Sequence, residues 1–413
     1  MKTKLLMGLL ITNTVLASNM SAPVIFPSAM VLPKGVRNLN YKAVTTSVSS
    51  IYNKDGVSAP LADPMFQDIT FGDVILGKKN NFDKAAVRAK MLAVGADENT
   101  VIAKSTGDIN AEVTVQVPVL AWGITEKWTA AVAVPIKTQS ISIDTGVIQT
   151  NEKIINALRD KLYIDGQGKE IEELDRKLSD PVKAKAEELG YEAILRNEKK
   201  TMLGDIKLVN KYKVWENESN ILTLSGEITL PTGETSILDR VVNVPGGDGQ
   251  WDLGASATHD FKFGFFTFSS NLAYTVQFAD SVERRIPEQY KSAASGDIDP
   301  DTKRNLGDIL SVTFAPSVNY RGASLAVGYS FNYKQVDSYS GSMYSSERYG
   351  WLAKNSQQTM NVFLGKIGYD TITLYKEGKF PLPALISLTH TQIFAGKNVV
   401  KNPLTTLDVS LFF

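Results

Sequence analysis

For imidazole or thiol chemistry the 413 residues offer two histidines, His259 and His390, and no cysteine. Without thiols there is no disulfide, no thiolate nucleophile and no Cys-ligated zinc or iron–sulfur centre. Two histidines cannot build a multi-histidine metal site, and any histidine-based catalysis must use one of them. Asp297, Asp299, Asp301 and Asp308 have calcium-loop-like spacing. Thr302 stands where such a loop needs glycine, however, and Asp308 replaces its bidentate glutamate, so the stretch is expected to be a solvated acidic loop. His390 could serve as the base of a barrel phospholipase only with a nearby serine; Thr391 and Gln392 follow instead, which leaves an ordinary interface histidine. Leu230-Pro231-Thr232-Gly233 lacks the variable residue and C-terminal anchor of a sortase signal and reads as a turn ending a strand. No catalytic residue, cofactor or metal is assigned, and the chain is not expected to be an enzyme.

The elements must therefore explain the protein. Lys+Arg 44 balances Asp+Glu 44, without the positive excess of a general nucleic-acid binder. The mean hydropathy is −0.10, and no apolar run beyond the N-terminus is long enough for a membrane helix. Soluble globules and membrane barrels remain. Lys2 and Lys4 precede the apolar stretch Leu5 to Ile11, which fades into Ala17-Ser18; this order predicts a secretory signal peptide over 1–17. At the other end Leu407, Val409, Leu411 and Phe413 alternate with Asp408 and Ser410. In water a terminal aromatic strand is an aggregation edge, whereas in a closed barrel it pairs with the first strand and faces lipid. A terminal Phe on such a strand resembles the signal by which the barrel assembly machinery recognises outer-membrane barrels.

The interior repeats this period of two. Val113, Val115, Val117 and Val119 oppose Glu112, Thr114 and Gln116; Leu222, Leu224, Ile228 and Leu230 oppose Thr223, Ser225 and Glu227; Leu325, Val327, Tyr329 and Phe331 oppose Ser324, Ser330 and Asn332. Segments of about ten alternating residues fit transmembrane strands better than the shorter strands of a sandwich. Strands are expected at 36–52, 109–121, 128–138, 204–215, 220–230, 250–261, 264–278, 308–320, 323–336, 357–368, 384–396 and 404–413. The fold class is thus all-β, a transmembrane antiparallel barrel of about 12 strands, or 14 if Thr371 to Tyr375 opens a further pair. Short and long connections alternate, as periplasmic turns and extracellular loops do, so both termini fall at the periplasmic rim. Trp122, Trp128, Trp215 and Tyr320 flank the short turns, while Trp251 starts a strand at the other rim; with Phe413 they form the expected interface aromatics. Apolar residues at helical spacing predict helices within 81–95 and 151–200, with Asp180 as N-cap, Pro181 at the first helical position and Gly190 as the stop. These amphipathic segments should fold over or into the barrel mouth, or else shield the rim without a role in transport.

If the apolar faces meet lipid, the polar faces line the lumen: Glu112, Lys137, Lys207, Lys211, Lys213, Glu227, Asp252, Lys334 and Asp408. Such mixed charge suits a water-filled path, and also suits pairs that stiffen the wall. Residues 18–35 include Ala22-Pro23-Val24-Ile25-Phe26-Pro27, apolar and Pro-rich, and could plug the lumen ahead of a barrel over 36–413.

Val117-Pro118-Val119-Leu120-Ala121-Trp122-Gly123-Ile124-Thr125-Glu126-Lys127-Trp128, continuing to Val134-Pro135, resembles the apolar-Gly-Ile-Thr-acidic-basic hairpin of the family called MetA-pathway of phenol degradation. Leu203 to Tyr212 followed by Gly226 to Gly233 is similar to its next hairpin, and Gly246 to Gly254 to the strand after that. The likeness spans roughly 110–275, and the insertion at 151–200 departs from the family's compact pattern. The resemblance implies an outer-membrane barrel that passes small hydrophobic or aromatic compounds. The expected function is passive transport of such solutes across the bacterial outer membrane, with lipid as surroundings. The competing expectation is a closed structural barrel whose helical loops bind a partner.

Overall fold

The computed structural model describes residues 20, 26–63, 66–75, 84–188, 190–191, 198–236, 238–239, 244–288 and 294–413. The expected signal peptide, and parts of the N-terminal segment and both helical insertions, lie outside them. Among the described residues twelve strands make the wall. They are β1 (Arg37–Val48), β2 (Val101–Gly123), β3 (Trp128–Ala133, resuming past Val134-Pro135 as Ile136–Gln149) and β4 (Ile206–Glu216, preceded across Gly204-Asp205 by Glu198–Leu203). Next come β5 (Asn220–Leu230), β6 (Asp252–Phe263), β7 (Phe266–Gln277) and β8 (Ile309–Tyr320). The wall ends with β9 (Ala323–Lys334), β10 (Gln358–Asp370), β11 (Ala384–Lys397) and β12 (Pro403–Phe412).

Each strand pairs antiparallel with its sequence neighbour, and β12 pairs with β1 from Asn38↔Phe412 to Thr46↔Leu404, so the sheet closes on itself. The protein is a 12-stranded antiparallel β-barrel. Twelve residues at about 3.3 Å each, tilted by roughly 40°, rise about 30 Å, the thickness of a hydrocarbon core. Side chains sort by parity. Leu272 on β7, Val312 and Phe314 on β8, Leu325 and Val327 on β9 and Ile367 on β10 stand exposed on the outside. Ser269, Thr313, Ser330 and Thr391 are buried on the inside. Leu272 is 53% exposed and Ser330 0%, a contrast that only a barrel in an apolar solvent rationalises. At the β8–β9 hairpin Arg321 (φ 49) and Gly322 (φ 86) supply the two left-handed residues that a tight turn between twisted strands requires.

β2 and the second half of β3 run well past their neighbours, paired from Gln116↔Ile136 to Ala103↔Gln149. Their upper part is dressed with helices: α1 (Phe71–Val74), α2 (Lys84–Ala93), α3 (Glu152–Ile164), α4 (Gly168–Ser179) and α5 (Pro181–Glu188). Phe71, Val87, Met91, Ile155, Leu158, Leu162 and Leu174 form one buried cluster there. Asp180 caps α5, its Oδ1 accepting from the Lys183 N–H at 2.9 Å, and Gly190 (φ 75) ends the turn beyond it. Val182, Ala186 and Tyr191 pack on Ile109, Ala111, Ile141 and Ile143, the inward row of the tall hairpin, so α5 lies over the barrel mouth. A second extracellular cluster joins Ile286 of the hairpin Asp280–Pro287/Ala294–Asn305 to Tyr349 and Leu352 of α6 (Ser346–Leu352).

Two expectations need correction. Thr371 to Tyr375 does not open a thirteenth strand; Ile372–Lys376 is a short helix, α7, inside a turn that the Thr371 hydroxyl closes by donating to Leu382 O at 2.6 Å. The acidic stretch from Asp297 is not a solvated loop but part of the strand Ala294–Asn305. Asp297 pairs with Arg348 at 2.8 Å, buried Asp299 accepts from the Tyr349 hydroxyl, and Asp308 accepts from the Tyr274 hydroxyl at 2.6 Å.

Because Leu272 sits midway along β7 on the outer face, Leu272→Arg should lower barrel stability in lipid by about 2–4 kcal/mol. Thr313→Arg, on the inner face at similar depth, should cost less. Urea unfolding in vesicles, followed by tryptophan emission, measures both.

Candidate functional site: the barrel lumen

Register fixes which side chains enter the lumen, since directly paired residues share a face. Seven of the nine expected lining residues come from wall strands β4–β6, β9 and β12 and stand on the inward face. Lys207 pairs with Glu227 across β4 and β5 at 2.6 Å, and Lys213 with Glu216 at 2.6 Å. Lys211 donates to the backbone oxygen of Ser28. Asp252 lies inward near the top of β6. Lys334 is buried against Asp337, and Asp408 is bound by Lys42 and by Asn40 Nδ2 at 2.6 Å. Lys137, the eighth, continues the inward row of β3 beyond the Pro135 kink and donates to Pro245 O at 2.6 Å, tying the wall to the loop after β5.

Glu112 is the exception. It pairs with Ser47 in the register that sets Leu39 against Leu120, so it shares the outer face with Leu120 and Trp122 and is exposed. Its neighbours explain the reversal. Val113, Val115, Val117 and Val119 point inward, beside Val44 of β1. Val115 packs against a buried lumen cluster of Val44, Met360, Val362, Leu364, Ile393 and Leu404. The lumen therefore has two unlike sides: one with an apolar patch where β1, β2, β10, β11 and β12 meet, flanked by the Lys42–Asp408 pair, and a charged one centred on β4 to β6. Alternation alone cannot say which face of β2 meets lipid, because both faces carry enough apolar atoms to be read either way.

The N-terminal segment crosses between these sides. Met20 N donates to Gln358 Oε1 at 2.8 Å near the extracellular end of β10, and Met20 joins the apolar cluster. The Phe26 ring packs against the same cluster and lies 3.3 Å from where a Cβ on Gly328 would stand. Ala29 N donates to Asp260 Oδ2 at 2.8 Å, and Leu32 N to Thr129 Oγ1 at 2.8 Å. At the periplasmic rim Gly35 N donates to Gly123 O at 2.8 Å. A Cβ on Gly123 would meet Pro33 O at 2.0 Å, so only glycine admits the chain there. Asp260, Lys42 and the inward valines were not singled out from the sequence; the parity that placed Asp252 inward also places Asp260, four steps along β6.

Of the aromatics, Trp122, Trp128, Trp215 and Tyr320 stand exposed around the turn rim, Trp251 at the opposite rim and Phe413 at the β1–β12 seam. Arg37 lies 5.8 Å over the Trp122 ring and Arg321 5.2 Å over that of Tyr320. His390 is on the outer face, 3.5 Å from Thr405 Oγ1, and His259 bonds Asn220 Oδ1 at 3.0 Å. A depression of about 570 Å³ by Trp128, Asn210, Tyr212 and Leu224 lies on the outer wall, outside the lumen.

No protein-family model and no curated protein matches the sequence. Among solved structures the barrel superposes on the COG4313 outer membrane channel from Pseudomonas putida F1 with a TM-score of 0.54 and 11% identity, over 95% of this chain and 100% of that one. The chain shares the barrel fold of that channel. The P. putida toluene transporter TodX gives a TM-score of 0.32 at 10% identity, covering 92% of this chain and 90% of that one. The translocator domain of the autotransporter NalP from Neisseria meningitidis gives 0.30 at 11%, covering 92% and 89%.

Lys42→Met takes the ion-pair partner from the Asp408 carboxylate, which keeps Asn40 and the nearby charge of Lys366, and should destabilise the barrel by about 1–3 kcal/mol, while Lys42→Met with Asp408→Asn should recover part of that loss. Unfolding midpoints of the two variants in vesicles, compared with the unaltered protein, decide it.

Proposed function

We propose that this protein is a channel of the bacterial outer membrane for passive passage of small hydrophobic or aromatic solutes. The observation that carries the reading is the two-sided lumen. A pore for ions and sugars is lined by water and polar groups throughout, whereas here one patch of the wall, beside the Lys42–Asp408 pair, turns valine, methionine, leucine and isoleucine inward. An apolar solute crossing such a lumen keeps part of its surface out of water, at about 25 cal/mol per Å² of contact. The fold shared with the COG4313 outer membrane channel supports the same reading. The exposed outer face and its aromatic rims fit surrounding outer-membrane lipid, and the strand that ends in Phe413 fits recognition by the barrel assembly machinery.

In this reading residues 18–35 form a plug, the charges of β4 to β6 hold it, and the helices over the mouth narrow the approach. The segment across the lumen and α5 above it also favour a second reading, a closed barrel whose extracellular helices bind a partner.

Planar-bilayer recording separates the two. The unaltered protein should show small or rare openings, and deletion of residues 23–35 should raise the conductance several-fold. No conductance from either supports the closed barrel. In liposome swelling, measured against protein-free vesicles, aromatic acids should enter faster than sugars of similar mass; equal rates would remove the hydrophobic-solute reading.

A further inference from the structure

The way the N-terminal segment is held points to more than a stopper. The peptide unit between Ser28 and Ala29 sits between two opposite charges of the lumen: its carbonyl accepts from Lys211, and its N–H donates to Asp260 Oδ2 at 2.8 Å. Asp260 is 2% exposed, and its other oxygen, Oδ1, makes no hydrogen bond among the described residues. Lys213 and Lys207 bond carboxylates directly, Glu216 and Glu227; Lys211 bonds a backbone carbonyl, and its nearby carboxylate, Asp260, is held off by the peptide unit. Two residues before that carbonyl, the Phe26 ring lies against the apolar side, by Gly328. Two residues of extended chain put the Cα atoms of Phe26 and Ser28 at most about 7 Å apart. The segment thus lays down an aromatic ring and an acceptor oxygen at fixed separation, one on each side of the lumen.

We infer that the seat of Phe26 and Ser28 is the solute-binding site of the channel, and that its ligand class is the aryl-alkyl carboxylate, whose ring replaces Phe26 and whose anionic oxygen replaces the Ser28 carbonyl at Lys211. This rests on the channel reading and narrows its cargo. A carboxylate makes a charge-assisted bond to Lys211 where the segment offers a neutral carbonyl, so it competes for the ammonium. Asp260 opposes a carboxylate from the far side of the seat, but the ammonium lies on the side the anionic oxygen takes; an uncharged analogue gains only the ring contact, and an amine, which Asp260 attracts, cannot take the carbonyl's place at Lys211. Binding at this seat expels the segment, and the same site that selects the solute then opens its path.

The chain's lack of cysteine gives a direct test. Ala29 is 0% exposed, so in Ala29→Cys the only thiol of the protein is covered while the segment is seated. Its labelling by a water-soluble maleimide is followed in detergent-solubilised full-length protein, with 4-phenylbutanoate, 4-phenylbutanol or 4-phenylbutylamine added. Labelling should be slow alone, at least tenfold faster with the carboxylate, and little changed by the alcohol or the amine. In Ala29→Cys with Lys211→Met the carboxylate effect should vanish, and Lys211→Arg should restore it; heat-modifiable migration of each variant reports the folded barrel. Equal acceleration by all three probes, or none by the carboxylate, overturns the assignment of ligand class. Fast labelling with no solute overturns the seating of the segment and this inference with it, while the channel reading stands or falls separately on the bilayer recording.

Discussion

Hydrocarbon offers no partner to a peptide N–H or C=O, and every other feature of the molecule follows from that absence. A sheet meets the condition only when it has no edge, so the decisive contact is the seam where β1 takes β12 on one side and β2 on the other. Once the ring is closed, the period of two divides each strand between lipid and lumen. The sequence of each side is then free to serve a different solvent. Twelve short strands are enough to enclose side chains and one extended segment, and little more.

Inside, the balance differs around the ring. Charges brought into a narrow lumen cost solvation, and the wall answers by pairing them: Lys207 with Glu227, Lys42 with Asp408, Lys334 with Asp337. Their zero net charge leaves no strong field along the axis. Lys211 and Asp260 are held apart by a peptide unit instead of meeting directly, and this is where the interior departs from simple stiffening. Opposite them the inward valines of β2 give up any preference for water. The lumen is amphipathic across its width, in the same way that each strand is amphipathic across its faces.

Much of the wall was legible in the residues. All twelve strands lie at the expected places, because lipid on one side enforces a strict pattern over ten or more residues, but β2 begins at Val101 and β3 runs on to Gln149, well outside the expected 109–121 and 128–138. The cap and stop of α5 were equally plain, since Asp180, Pro181 and Gly190 act within one turn of chain. What failed was the sign of a face. Glu112, Thr114 and Gln116 look outward because Val115 between them finds partners, Met360 and its neighbours, about 250 residues away, and no local pattern carries that distance. The helix at Ile372–Lys376 was missed for a related reason: Thr371 to Tyr375 has strand-forming residues, but a hairpin closed by one hydroxyl leaves them no neighbour to pair with.

The tall hairpin of β2 and β3 gives the protein a second core in a second medium. The cluster around Phe71, Met91, Leu158 and Leu174 lies beyond the membrane band and owes its cohesion to water, whereas the leucines of the outer wall lose nothing to water at all. Water-driven cohesion weakens on cooling and carries a large heat capacity; backbone pairing in hydrocarbon has no such dependence. One polypeptide therefore holds two thermometers, and a cold cell loosens the helices above the mouth while the ring beneath them keeps its shape.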